Sequence, residues 1–91
     1  MRPAAIALTL VLAATAAGRA QTAGDSCTVA DPTGTPLNVR ETPNGRKLEA
    51  LLNGSGVEVI DTLRDGQGRI WARVAVFGET VGWVFGPFLD C

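Results

Sequence analysis

The sequence has no histidine, no tyrosine, a single lysine and only two cysteines. Lack of histidine removes the side chain that most often takes and returns protons near neutral pH. Ser26 and Ser55 fall in turn-rich stretches with no candidate base, so a nucleophile–base pair cannot be assembled. Glu41 and Glu49 are the conceivable paired carboxylates, but nothing in their spacing singles them out, and they read as solvated charge. No catalytic residue is expected. The run Asp61-Thr-Leu-Arg-Asp65-Gly66 shares three positions with a calcium loop, but Leu63 and Ala72 stand where oxygen ligands are required. No metal and no cofactor are expected. A basic stripe is missing too. Residues 21–91 hold six basic and nine acidic side chains, a net charge of −3, and the basic ones are scattered over Arg40, Arg46, Lys47, Arg64, Arg69 and Arg73. That balance speaks against nucleic acid and against anionic membrane surfaces as partners.

What is present begins with a targeting pattern. Arg2 gives a short positive start, Pro3 to Ala17 is uncharged and rich in Ala and Leu, and Gly18-Arg19-Ala20 puts small residues where a signal peptidase reads. Residues 1–20 are therefore expected to be a secretory signal peptide cleaved after Ala20. The run is short of the roughly 20 apolar residues a spanning helix needs, so no membrane insertion is expected after cleavage. Cys27 follows Asp25-Ser26, which does not suit a lipidated cysteine. The expected location is secreted or periplasmic, with 21–26 as a flexible lead-in and 27–91 as one domain.

A domain of about 70 residues buries only about 60% of the surface its unfolded chain exposes, so its stability is marginal. Small secreted domains often add a covalent staple. Cys27 and Cys91 bracket the whole domain, and in an oxidising compartment a bond between them is the natural reading. Two free thiols or an intermolecular bridge are the alternatives.

Along the domain, apolar residues alternate in short runs between turns. Cys27–Val29 and Leu37–Val39 read as brief strands separated by the turn-rich 31–36. Pro43-Asn44-Gly45 is a turn that needs positive φ. Lys47–Leu52 has helical propensity, but six residues between turn signals favour a strand. Val57–Leu63 is rich in β-branched residues, with Ile60 out of phase, which implies a bulge. Asp65–Gly68 closes a hairpin. In Ile70–Val76, the residues Ile70, Ala72, Val74 and Val76 share a core face, and Trp71, Arg73 and Ala75 share a wet one. After a turn at Phe77-Gly78-Glu79, Thr80–Phe85 forms the next strand with Val84 inward. Gly86-Pro87 breaks it, and Leu89–Cys91 returns beside the first strand. The pattern is all-β, a small barrel or sandwich.

Leu37-Asn-Val-Arg40, Pro43, Trp71-x-x-Val74, Gly82-Trp83-Val84 and Phe88-Leu89 occur in an order that resembles bacterial SH3-like (SH3b) domains, over nearly all of 27–91. The resemblance implies a strongly bent SH3-like barrel of about five strands with its chain ends close together, which independently favours the Cys27–Cys91 bond. It also implies a non-catalytic binding module found outside the cytoplasm. Such modules often recognise cell-wall peptides. Trp71 and Phe88 match groove positions of SH3 domains. The sequence departs in lacking tyrosine, with Phe88 where the family often has one, and in lacking the acidic, Tyr-rich first loop of Pro-binding members.

The expected ligand contacts are Trp71, Phe88 and Phe85 as an apolar patch, with Arg73 and Arg40 beside it for a carboxylate. Each has a plainer alternative: Trp71 packs under the 31–36 loop, and the arginines are ordinary surface charge. Trp83 either braces the barrel or is exposed for binding. The expected partner is a cell-wall peptide or an envelope protein, bound by a monomer.

Overall fold

A computed structural model describes residues 21–91; the signal peptide expected over 1–20 lies outside the described residues. Seven strands follow in order: β1 (Ser26–Val29), β2 (Leu37–Arg40), β3 (Lys47–Leu51), β4 (Gly56–Arg64), β5 (Ile70–Val76), β6 (Glu79–Phe85) and β7 (Leu89–Asp90), with one 3-10 turn at Gly86–Phe88 before the last. They form a single sheet in the order β3-β2-β6-β5-β4-β1-β7, every pairing antiparallel.

The strand count corrects the expected five. The strands nearest both ends of the described stretch join the sheet, β1 against β4 and the two-residue β7 against β1. The barrel is also open: β3 and β7 are edges, and the sheet curls into a half barrel. Lys47–Leu51 is a strand despite its helical propensity, because β2 offers it a partner. As an exposed edge it carries Lys47 and Glu49, charges that discourage a further strand from adding on.

Three bulges supply the curl. The β4–β5 register passes from Val59 opposite Val74 to Asp61 opposite Arg73, leaving Ile60 as the extra residue, as its broken alternation implies. Leu48 on β3 and Val81 on β6 are skipped in the same way. Each extra residue bends its strand and raises its twist. One face thereby closes on Val29, Val39, Val59, Val74 and Val84, all fully buried, with Leu37, Val57, Ala72 and Leu89 around them. Burying such a side chain is worth about 1.5–3 kcal/mol.

Cys27 and Cys91 are disulfide-bonded, their Cα atoms 4.2 Å apart. Closing a loop with a sequence separation of 64 residues contributes about 4 kcal/mol on the chain-entropy account. The lead-in expected over 21–26 is tied to the sheet: Gln21 Nε2 donates to the Gly86 carbonyl, Gly24 N–H to Val59 and Val59 N–H to Asp25. Ser26 already belongs to β1.

The outer face of β5 is not the wet face its alternation implies. Trp71 is 5% exposed and Ala75 3%, whereas Ile70 and Val76 on the other face are only half-buried. Strand alternation assigns a side, and coverage of that side depends on neighbours the local pattern does not specify. Here Trp71 is covered by Phe85 across the sheet and by the Asp65 turn.

Candidate functional site

The outer face of β4, β5, β6 and β2 carries two cross-strand rows. In the first, Leu63 on β4 stands opposite Trp71 on β5, and Trp71 opposite Phe85 on β6. In the second, Asp61 stands opposite Arg73, Arg73 opposite Trp83, and Trp83 opposite Arg40 on β2. Residues directly opposite in antiparallel strands project to the same side, so each row is a line of neighbouring side chains. The rows are adjacent, because Trp71 and Arg73 on β5, like Phe85 and Trp83 on β6, are two positions apart.

The first row is aromatic. The Trp71 and Phe85 rings meet edge-to-face with centroids 5.5 Å apart, and Phe85 meets Phe88 in the same manner at 5.0 Å. Such edge-to-face pairs add about 0.5–1.5 kcal/mol each beyond area burial. Phe88 arrives through the 3-10 turn and also packs against the core. Trp71 lies beneath; Phe85 and Phe88, half-buried, bring aromatic surface to solvent.

Trp71 is fixed by an acceptor in the β4–β5 turn, Asp65. Its indole Nε1 donates to Asp65 Oδ2 at 2.9 Å. The same carboxylate oxygen accepts from Asn44 Nδ2 and Arg69 Nε. Oδ1 accepts the backbone N–H of Gln67 and of Arg69. Arg69 reaches on to Asn44 Oδ1, and Asn44 holds the positive φ of its Asn-Gly turn at 62°. The β4–β5 turn and the β2–β3 turn are thus tied through one carboxylate. The indole bond first, and then the other donors against an opposing desolvation, hold the Asp65 carboxyl well below its ordinary value of 3.8.

In the second row the Arg73 guanidinium lies over the Trp83 ring, 5.9 Å from its centroid, within reach of a cation–π attraction. Arg40 Nη1 donates to the Gly45 carbonyl at 2.9 Å. Gly82 permits this arrangement. Its φ is +144°, and a Cβ there would sit 2.7 Å from the Arg40 carbonyl oxygen and 2.8 Å from a Val39 methyl. The bare backbone lets β2 close on β6 and bring Arg40 to Trp83.

The five expected contact residues therefore fall into two groups. Trp71, Phe85 and Phe88 form one aromatic run, while Arg40 and Arg73 flank Trp83 in the next row. Trp83 did not figure among the expected contacts, although its alternation against Val84 placed it opposite the core. Asp65 stands out in the sequence only in its Asp-Gly turn and in the run that falls short of a calcium loop, and neither points to the Trp71 indole. Asp25, Cys27 and Cys91 have potential ligand atoms within 4.8 Å of one another, but both sulfurs are spent in the disulfide and are not thiolate ligands.

The small curled all-β sheet carries an aromatic outer face, and the disulfide ties the two ends of the domain together where β1 and β7 pair. Residues 35–90 match the family described as bacterial SH3 domain, and the chain belongs to that family. No curated protein and no solved structure matches the chain.

Proposed function

We propose that the protein is a non-catalytic, secreted or periplasmic SH3-like module whose outer face binds a peptide, with a cell-wall peptide as the ligand. The observation that carries this reading is the adjacency of two side-chain rows, Trp71–Phe85–Phe88 and Arg73–Trp83–Arg40, on one sheet face. Half-exposed aromatic surface beside guanidinium groups suits an extended chain, which needs apolar contact and a few fixed polar anchors. Placement outside the cytoplasm is supported by the disulfide. Among the described residues no helix is long and apolar enough to cross a membrane.

A pull-down on purified peptidoglycan tests the reading. The native protein is retained, and Trp83→Ala, with its fold checked by circular dichroism, is retained less. Passage of the native protein through the wall material unbound would contradict wall binding. Trp71→Ala is the poorer probe, since it opens a buried site and strips Asp65 of a donor.

One feature favours a second reading, an envelope protein as partner. Phe77, at the tip of the β5–β6 hairpin, is fully exposed, and Phe is among the residues enriched at protein interfaces. A photoreactive residue at position 77, crosslinked in the native envelope, separates the two. One recurring protein band supports a protein partner, and wall-sized adducts alone support the first reading.

A further inference from the structure

We propose that Arg40, Trp83 and Arg73 form a carboxylate subsite, in which the two guanidinium groups take a peptide carboxylate and Trp83 supports the atoms next to it. The proposal rests on the reading of the outer face as a peptide-binding face and names the chemistry of one end of it.

Three observations converge. The register places Trp83 directly opposite both arginines, so three side chains from β2, β6 and β5 share one line. The Arg73 guanidinium lies over the Trp83 indole, so charge and ring face are presented together. Among the described residues neither arginine is paired with an acid: the ion pairs are Arg46 with Glu41 and Arg69 with Asp65. Asp61, the acid opposite Arg73, turns its Oδ1 to the N–H of Thr62 instead.

These facts are unexpected together. Residues 21–91 carry nine acids against six bases, so unpaired arginines are not forced by a shortage of carboxylates. A planar two-oxygen anion is the acceptor that a guanidinium fork fits. The adjoining aromatic row selects a carboxylate carried on a peptide over a free inorganic anion.

The experiment compares retention on peptidoglycan as purified and on peptidoglycan whose carboxyl groups have been converted to amides with carbodiimide and ammonia. Non-specific electrostatics and the subsite predict opposite signs. For a chain of net negative charge, removing wall carboxylates relieves repulsion and raises retention. The subsite instead predicts a loss of about tenfold or more. Arg73→Gln reproduces that loss on the untreated wall, Arg73→Lys restores part of it, and both keep the native melting temperature. Release by N-acetylalanine identifies a terminal carboxylate, and release by the α-amide of N-acetylglutamic acid a side-chain one. Equal or greater retention on the amidated wall overturns the subsite while leaving peptide binding standing. Absence of retention on both materials overturns the subsite and the peptide-binding reading together.

Discussion

Asp65 shows how much one side chain holds in a domain this small. Its carboxylate accepts from Trp71, Arg69, Asn44 and two backbone N–H groups, and it is only 8% exposed. Because its folded-state pKa lies below the unfolded value, it contributes stability at pH values above about 4. That contribution falls away as the pH drops from there toward the folded value. Urea midpoints measured at pH 7 and pH 3 are therefore expected to differ more for the native chain than for Asp65→Asn, which binds no extra proton on unfolding. Phe77 is the opposite case, a residue whose conformation costs stability. It holds φ at +50° with its ring in water, a backbone region that disfavours bulky L-residues by about 1–2 kcal/mol. Phe77→Asn is expected to raise stability by about 1 kcal/mol in chemical denaturation, since Asn-Gly is the preferred pair for such a hairpin turn.

Among the elements, β6 does most to place the site, and Gly82 is the reason. A side chain at this position meets the Arg40 carbonyl and Val39 in a backbone conformation that favours glycine. Gly82→Ala is expected to cost about 2 kcal/mol or more, measured by thermal or urea unfolding. What the sequence disclosed about the elements follows from the range of each signal. The alternation of Val57–Leu63, its break at Ile60 and the turns around Asn44 and Asp65 are local, and each is read within a few residues. The side on which Trp71 projects was legible for the same reason. Its coverage was not, because Phe85 and Asp65 reach it across a strand pair and a turn. The meeting of Arg40 with Trp83 was hidden for a stronger reason: it depends on β2 pairing with β6, strands 39 residues or more apart in the chain, and on the register of that pairing. Single-strand periodicity carries no information about either.

At the scale of the whole molecule, the curled sheet, the disulfide and the outer face act together. The core valines fix the curl, the bond from Cys27 to Cys91 restrains both ends, and the opposite face is left to present Phe85, Phe88, Trp83 and the two arginines. The central claim is that this outer face is where a peptide sits. Titration of soluble peptidoglycan peptides into 15N-labelled protein, followed by amide and indole resonances, tests it most directly. The two tryptophans give separate indole signals. The account predicts that the Trp83 indole moves together with the amides of Arg40, Arg73 and Phe85, while the Trp71 indole, held by Asp65, moves less. Shifts confined to the Phe77–Gly78 tip and the neighbouring Ser26–Thr28 strand, or no shifts at all, would contradict it.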